Sequence, residues 1–309
     1  SASAPANACW NWPRRWKATP AARASLDAQP GAGQSHARMT NSYSLEDELT
    51  FAGRLADAAW SAIRPHFRAL DAVDNKITIP HAEFDPVTAA DTGAEAAMRA
   101  LIEAERPDHG VTGEEFPAKP SKNGFTWLLD PIDGTRAFVA GLPSWTTLIA
   151  LCDETGTPVI GIIDQPVLDE RYLGWPGGAA VQRAGTQTPI QVSDCRDLRE
   201  AVISTTDPFI LNPAEQGAWT HLRATARISR YGLDAYAYAR LAAGTIDLVA
   251  ESGLKAWDVA ALIPVVRGAG GLATDWRGNE PKLGGQIVCC ASAEILEQAL
   301  LALRRSADT

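Results

Sequence analysis

The chain has no run of about 20 uninterrupted apolar residues, so no membrane-spanning helix and no membrane partner are predicted. Its five cysteines are odd in number and show no CxxC spacing, which excludes an evident disulfide framework or zinc site. Repeats of solenoid period and long coiled-coil heptads are also absent. These absences, with thiols that suit a reducing compartment, predict a soluble, cytoplasmic protein.

Basic residues are fewer than acidic ones, and the formal net charge is −9. This balance argues against nucleic acid as the main partner, because a phosphate backbone is bound chiefly by basic residues. It does not argue against a small anionic substrate, since a bound divalent cation can reverse the local field. At 309 residues, the chain can form one large domain or two moderate ones.

Residues 1–40 differ from the remainder of the chain. They are rich in Ala, Pro and Ser, carry five basic residues against the single acid Asp27, and lack amphipathic periodicity. Such a segment cannot bury enough apolar surface to offset its ordering entropy, so it is predicted to be disordered. It is typical of a transit peptide or of an extension ahead of a natural start at Met39, and we favour the extension.

Hydrophobic spacing predicts helices and strands along the rest of the chain. Ser44 and Asp47 have the spacing of a capping box at the start of a helix. Further helices are predicted at 91–105, 213–226, 233–244, 257–271 and 291–305. Strands are predicted at 126–130, 146–153, 158–166, 170–177, 201–206, 226–232, 245–252 and 272–278. This order predicts a layered α/β (α+β) fold with domains at 41–187 and 188–309.

In the stretch "WLLDPIDGT", residues 127–135, a predicted apolar strand is followed directly by two acids, Asp130 and Asp133. Because Pro131 has no N–H, we expect the strand to end at Asp130. In the turn that follows, the carbonyl of Ile132 is expected to lie free between Asp130 and Asp133. Two carboxylates and a carbonyl make an all-oxygen site, which suits a hard cation such as Mg²⁺.

Gly134 and Thr135 stand where a helix is expected to begin. Their N–H groups, with the positive end of the helix dipole, would offer a seat for an anion beside the metal site. An ordinary acidic turn is the alternative interpretation of this segment, because Asp, Pro and Gly are common turn residues.

Three further acids occur in suggestive positions. Glu114 follows a predicted strand in "VTGEEF", Asp91 begins a helix in "DPVTAAD", and Asp258 lies in the first turn of an apolar helix in "KAWDVAA". The simpler interpretations are a solvated pair, helix N-capping and compensation of the helix dipole, respectively. Each is plausible singly, but the four acidic segments together indicate a common site.

The segments "DPVTAAD", "GEE", "DPIDGT" and "WDVAA", in this order, resemble the inositol monophosphatase family of metal-dependent phosphatases. The similarity extends over about residues 45–305. It implies a layered αβαβα sandwich of two domains, with the active site between them and usually a homodimeric assembly. It also implies hydrolysis of a small phosphate ester by metal-activated water, with no covalent phosphoenzyme.

The resemblance also implies a role for each matching residue. The implied ligands of two or three Mg²⁺ ions are Glu114, Asp130, the carbonyl of Ile132, Asp133 and Asp258. Thr135 and Asp91 match the residues that orient the attacking water, and Glu114 is counted with them as catalytic. Glu251 matches a position that contacts a substrate hydroxyl or amine.

The region "RYGLDAYAYARLAAG" resembles the histidinol-phosphate phosphatase branch of the family. That branch commonly has Gly-Gly-Asp-Cys-Tyr where this chain has Gly-Leu-Asp-Ala-Tyr at 232–236. Acids at Asp234 and Glu251 would suit the amine and imidazole of histidinol phosphate. Asp234 could instead cap the following helix, and Arg136 could approach the phosphate or be an ordinary surface arginine.

The predicted function is therefore a Mg²⁺-dependent histidinol-phosphate phosphatase of histidine biosynthesis. An inositol-1-monophosphatase or a broader sugar-phosphate phosphatase is the alternative. A haloacid dehalogenase-type phosphatase is excluded, because it needs two aspartates two residues apart on one face of the strand. A non-catalytic regulator is disfavoured by the complete set of acids. We expect Trp145, Trp175, Trp257 and Trp276 to be packing residues, and His81, His109 and His221 lack the spacing of metal ligands.

Overall fold

The computed structural model describes residues 44–69, 74–75, 86–87 and 89–307. The expectations for residues 1–40 and His81 lie outside the described residues. Helix α1 spans Leu45–Ile63, β1 Asp74–Asn75, β2 Pro86–Val87 and α2 Ala89–Glu105. The capping box of α1 is confirmed, because the Asp47 N–H donates to Ser44 Oγ and the Ser44 N–H donates to Asp47 Oδ2. Strands β1 and β2 pair antiparallel.

A seven-stranded sheet follows α2. Its strands are β3 Gly110–Gly113, β4 Thr126–Asp133, β5 Thr146–Cys152, β6 Pro158–Gln165, β7 Glu170–Trp175, β8 Gly178–Arg183 and β9 Thr186–Pro189. The strands lie in sequence order, with β3 parallel to β4 and every later pair antiparallel. Helix α3, Thr135–Val139, interrupts the connection between β4 and β5.

A five-stranded sheet and most of the remaining helices come after β9. The strands are β10 Val202–Ser204, β11 Ile228–Arg230, β12 Leu248–Leu254, β13 Leu272–Thr274 and β14 Gly285–Cys290, in the order β11-β10-β12-β14-β13. The helices are α4 Pro213–Thr225, α5 Tyr236–Ala242, α6 Ala256–Ala260, α7 Leu262–Gly268 and α8 Ala293–Leu303. No helix in the described ranges is long and apolar enough to cross a membrane.

Alternating side chains place each sheet between two helical layers. Trp127 and Leu129 of β4 pack with α1 and α2, whereas Leu128 points to the other face, against α5, α6 and α7. Those central helices also contact Cys289 of β14, while Val288 faces α4 and α8. The layers therefore run helix, sheet, helix, sheet, helix, which confirms the αβαβα sandwich.

Several short elements differ from the sequence expectations. The helix expected over 257–271 is divided into α6 and α7, because Pro264 cannot donate the N–H that would bond to Ala260. Strands β8 and β9 were not predicted; they form a hairpin whose turn holds Ala184 and Gly185 at positive φ. Strand β14 was also missed, because both of its faces are buried and it shows no polar alternation.

The division into domains at 41–187 and 188–309 stays a prediction. The two sheets use residues on either side of the interval 190–201. However, a single hydrophobic cluster extends from Leu128 of the first sheet through the central helices to Cys289 of the second. The halves thus share a core layer.

Candidate active site

Asp130 lies at the centre of the acidic residues that the sequence analysis singled out. Its side chain is buried, and its Oδ1 atom has no hydrogen-bond partner among the described residues. Burial raises the pKa of Asp130 well above its ordinary value, and the charges of four other acids raise it further: Asp133, Glu114, Asp258 and Asp91. The fold therefore brings all five predicted acids within electrostatic range of one another.

A bulge at Pro131 places the two acids of β4. Pairing with β5 is interrupted after Asp130 and resumes with Asp133 opposite Thr146. The expectation that the strand ends at Asp130 is therefore wrong, because the chain passes the proline as a bulge. Thr147 Oγ1 donates to the Pro131 carbonyl at 2.7 Å and takes the place of a ladder hydrogen bond.

The segment after the bulge turns directly into α3, as predicted. Gly134 precedes the helix with φ +82°, a left-handed conformation that glycine adopts without strain. The Ile132 carbonyl is not free, since Thr135 Oγ1 donates to it at 3.2 Å. A carbonyl has two lone pairs, so a second partner can still bind there. The helix has only five residues, and the anion seat remains a prediction.

Asp133 connects the first sheet to the central helices. The N–H of Ala235, at the start of α5, donates to Asp133 Oδ2 at 2.6 Å. Burial raises the pKa of Asp133 well above its ordinary value, and the nearby charges of Asp234, Asp258 and Glu251 act in the same direction. One carboxylate thus contacts the second half of the chain while facing three of its acids.

Asp258 lies in the first turn of α6, as the sequence indicated. Its Oδ2 accepts the N–H of Lys255 at 2.7 Å. Burial raises the pKa of Asp258 to about 6; the bond from Lys255 opposes this shift, and the charge of Glu114 adds to it. Asp258 therefore caps its own helix and also faces the acidic centre. Asp91 is buried in the first turn of α2, whereas Glu114 is exposed just after β3.

Glu251 is hydrogen-bonded through both carboxylate oxygens and lies near Asp133, in the group of acids around Asp130 that we call the cleft. One oxygen accepts the N–H of Thr206 at 2.9 Å and its hydroxyl at 2.5 Å, and the other accepts the Tyr238 hydroxyl at 3.0 Å. Burial raises the pKa of Glu251 despite these bonds. Thr206 was not among the predicted site residues, although it follows the carboxyl end of the parallel strand β10, a usual place for ligand-contacting residues.

Asp234 faces the cleft and does not cap α5. The residue before that helix is Ala235, which makes no side-chain capping bond, so the capping interpretation is wrong. A Cβ built on Gly134 would lie 2.9 Å from Asp234 Oδ2, which places this carboxylate directly against the turn of β4. Burial raises the pKa of Asp234 to about 7, and the charge of Glu251 adds to the shift.

Arg136 of α3 extends toward Asp207, which follows β10. Its Nη1 lies 3.7 Å from Asp207 Oδ2, and both side chains are substantially exposed. Its charge lowers the pKa of Asp234, which places Arg136 near the acids of the cleft as well as at the surface. Three of the four tryptophans predicted to pack, Trp145, Trp175 and Trp276, are buried in the core, whereas Trp257 is only partly buried.

The donor chemistry of this cluster fits a hard cation. Every candidate ligand is an oxygen, and the Asp130 oxygen without a partner is buried among them. Among residues 89–307 and the other described residues, however, no three His, Cys, Asp or Glu side chains already converge as metal ligands do. The acids are neighbours that a bound ion would draw together.

Comparison with known proteins identifies the same region. The inositol monophosphatase family matches residues 44–309. The chloroplastic bifunctional phosphatase IMPL2 of Arabidopsis thaliana is 39% identical over 261 residues, which cover 81% of this chain and 72% of that protein. The histidinol-phosphatase of Mycobacterium tuberculosis is 36% identical over 247 residues, covering 78% of this chain and 92% of that protein.

Relatives with other names are also found. The inositol-1-monophosphatase of Mesorhizobium japonicum is 32% identical over 253 residues, covering 80% of this chain and 93% of that protein. Among solved structures, an inositol monophosphatase from Zymomonas mobilis has a TM-score of 0.74 and 39% identity, covering 85% of this chain and 100% of that one. The names of the relatives thus include phosphatases of two different esters, and other relatives are named Nus factor SuhB.

Proposed function

The chain belongs to the inositol monophosphatase family and is therefore a phosphatase, and we propose that it hydrolyses histidinol phosphate with the help of Mg²⁺. The family is metal-dependent. The identity of the ion as Mg²⁺, its number as two or three, a homodimeric assembly and a cytoplasmic location are parts of the same proposal.

The observation that carries the proposal is the environment of Asp130. A buried carboxylate with an unpartnered oxygen and four acidic neighbours is unfavourable unless positive charge compensates it. Asp130, Asp133, Asp258, Glu114 and the Ile132 carbonyl would hold the ions. When bound, such ions supply an activated water and positive charge that stabilises the leaving oxygen.

The remaining residues of the turn position the reacting groups. In this proposal the N–H groups of Gly134 and Thr135 would bind the phosphate, and the Thr135 hydroxyl, which donates to the Ile132 carbonyl, would orient the water together with Asp91. Asp91 is fixed in the first turn of α2, where it is buried. No group of the chain needs to form a covalent bond to phosphorus.

The choice of histidinol phosphate rests on the opposite wall of the cleft. Asp234 and Glu251 place two acids near the phosphate turn, and the amine and imidazole of histidinol are groups that acids bind well. Relatives named histidinol-phosphatase support this choice. Inositol phosphate is the second candidate, favoured by relatives named inositol-1-monophosphatase and by the ability of Glu251 to accept a neutral hydroxyl.

A phosphate-release screen tests both parts of the proposal. Histidinol phosphate, inositol phosphate, fructose bisphosphate and adenosine bisphosphate would each be assayed with Mg²⁺ and with a chelator. We expect the highest kcat/KM for histidinol phosphate and no turnover in chelator. A clear preference for inositol phosphate would contradict the substrate, and turnover after complete metal removal would contradict the mechanism.

Asp130→Asn tests the site itself. We expect kcat to fall more than about a hundred-fold, because even indirect supports of a metal ligand are worth ten- to hundred-fold. Asp153→Asn is the matched control, since Asp153 follows β5 at the opposite end of the same strand pair and accepts only local turn bonds. Equal activity of the two variants would show that Asp130 is not the centre of the site.

A further inference from the structure

Helix α2 presents two acids to the same side, one turn apart. Asp91 is the predicted water-orienting residue, and Glu95 follows it four positions later. Glu95 is completely buried, which is unusual for a glutamate and requires that its charge be compensated. None of the roles assigned above to the metal site uses Glu95.

The carboxylate of Glu95 is bound on both oxygens. Oε2 accepts the N–H of Glu115 at 2.7 Å, and Oε1 accepts Arg99 Nε at 2.7 Å. The first bond holds the backbone immediately after Glu114. The second makes an ion pair within α2, in which the Arg99 side chain is only 19% exposed and so remains close to the segment.

Arg99 extends the same contact to the next residue. Its Nη2 donates to the carbonyl of Phe116 at 3.1 Å, and its guanidinium lies 5.8 Å from the centre of the Phe116 ring. Together Glu95 and Arg99 hold one N–H and one carbonyl on the segment that leaves β3. Both bonds are charge-assisted and hence stronger than ordinary backbone bonds.

Gly113 shows how closely this segment lies against the helix. A Cβ built on Gly113 would overlap the Glu95 carboxylate, so the glycine allows the backbone to approach. Glu114 is therefore preceded by a glycine packed on Glu95 and followed by an N–H bonded to Glu95. Its own side chain is exposed, so core packing does not define where its carboxylate stands.

We infer that Glu95, supported by Arg99, is a positioning residue that fixes Glu114 for metal binding. This inference rests on the proposed function and adds to it two residues that influence the affinity of the site for Mg²⁺. Helix α2 then positions two of the acids near Asp130. It carries Asp91 itself, and it holds Glu114 through the backbone of Glu115. We call Glu95 and Arg99, with their bonds to the backbone of Glu115 and Phe116, the clamp. Its loss should weaken Mg²⁺ binding while leaving kcat at saturating Mg²⁺ largely unchanged.

Three variants test the clamp by isothermal titration of chelator-treated protein with MgCl₂, in parallel with kcat measured over a Mg²⁺ series. Glu95→Ala should weaken Mg²⁺ binding about ten- to hundred-fold, the usual effect of losing a residue that supports a ligand. Glu95→Gln keeps an oxygen for the Glu115 N–H and should restore most of the affinity. Arg99→Met, at a side chain less buried than Glu95, should weaken binding several-fold.

Glu103→Ala is the matched control. Glu103 lies on the same helix, but its side chain is 66% exposed and pairs with Lys119, in the loop that follows the clamped segment, and not with the backbone next to Glu114. We expect its Mg²⁺ affinity to equal that of the wild type. Circular dichroism melting in chelator would separate a loss of fold from a loss of affinity.

The outcomes discriminate between the two levels of the proposal. The inference alone would be overturned if the wild type is active and the Glu95→Gln, Arg99→Met and Glu103→Ala variants all bind Mg²⁺ with the same affinity as the wild type. This holds whether Glu95→Ala also binds with that affinity or is unfolded. A Glu95→Ala loss that Glu95→Gln does not restore would also overturn it. Wild-type protein that neither binds Mg²⁺ nor releases phosphate would overturn the proposed function as well.

Discussion

At the scale of single residues, His109 illustrates how burial sets the charge of a side chain. It lies immediately before β3 and is only 4% exposed. Its Nδ1 accepts the indole N–H of Trp127 at 3.0 Å, a bond that requires an unprotonated nitrogen. Burial, with a smaller effect of the Arg106 charge, lowers the pKa of His109 to about 4.

This lowered pKa predicts a loss of stability in mild acid. Between the unfolded value near 6.5 and the folded value near 4, the unfolded chain binds one proton more at this site, so the free energy of unfolding falls as pH decreases. The expected loss is about 2–3 kcal/mol across that window. Urea unfolding at several pH values between 7.5 and 4.5 would measure it.

His109→Gln provides the comparison for this effect. Glutamine can accept a hydrogen bond but does not titrate, so the variant should show a shallower dependence of stability on pH. Subtracting the two profiles removes the contributions of the cleft acids, which are common to both proteins. Parallel profiles would show that His109 takes up its proton as readily in the folded protein as in the unfolded chain.

The acidic residues of the cleft could be predicted individually because each belongs to a short, recognisable motif. Their partners could not. Thr206 reaches Glu251 only after β10 and β12 pair, and Asp207 reaches Arg136 only when α3 packs near the end of β10 in the folded chain. Nothing near Thr206 in the sequence indicates that its N–H and hydroxyl converge on one carboxylate.

At the scale of elements, a buried ion pair joins the two helices of the outer layer. Arg106, just after α2, donates to Glu48 of α1 at 2.9 Å, and the two side chains are 8% and 3% exposed. The same guanidinium lies 4.5 Å from the centre of the Phe51 ring. Burial raises the pKa of Glu48, and Arg106 opposes that shift.

Removal of this arginine should be strongly destabilising. Arg106→Met would leave the Glu48 carboxylate buried without its cation, at an expected cost of about 3 kcal/mol. Arg54→Met is the control: Arg54 also joins α1 to α2 by pairing with Glu105, but those side chains are 48% and 36% exposed. Its cost should stay below about 1 kcal/mol. Similar unfolding free energies for both variants, from urea titration, would contradict this account.

Element boundaries were predictable where the signal is local. The capping box at Ser44 defined the start of α1, and Gly244, at φ +76°, follows the end of α5. The predictions were wrong where several residues act together, as at the bulge after Asp130, where Thr147 supports the backbone from the neighbouring strand.

At the scale of the whole molecule, the central helices rest directly on the backbone of the first sheet. Gly161 of β6 and Gly174 of β7 are paired opposite one another. A Cβ on Gly161 would overlap the Ala261 carbonyl, and one on Gly174 would overlap the backbone between Pro264 and Val265. The two glycines form a flat area that α7 occupies.

Gly174→Ala should therefore destabilise the assembly of layers. Because backbone rather than a flexible side chain occupies the space, α7 would have to move, at an expected cost of about 1–3 kcal/mol. Gly217→Ala is the control, since Gly217 lies on an exposed face of α4 with open space around its Cα. It should stabilise the protein by up to about 1 kcal/mol. Opposite signs in urea unfolding are the expected result.

The layer order of the whole molecule followed from resemblance to a family and not from hydrophobic periodicity. Periodicity located most helices and strands, but β14 shows no alternation because helices cover both of its faces. Contacts such as Gly161 with Ala261 join segments distant in sequence, and a single glycine gives no sign of its partner.

The shared central layer also limits how the cleft can move. Asp258 stands in α6, and Ala235, which holds Asp133, begins α5, so both sides of the cleft are anchored in one continuous core. A hinge motion between the two sheets would separate residues that pack together in that core. Any adjustment to a bound molecule is therefore expected in side chains outside that core, such as Phe209, which is 85% exposed and follows Asp207 by two residues.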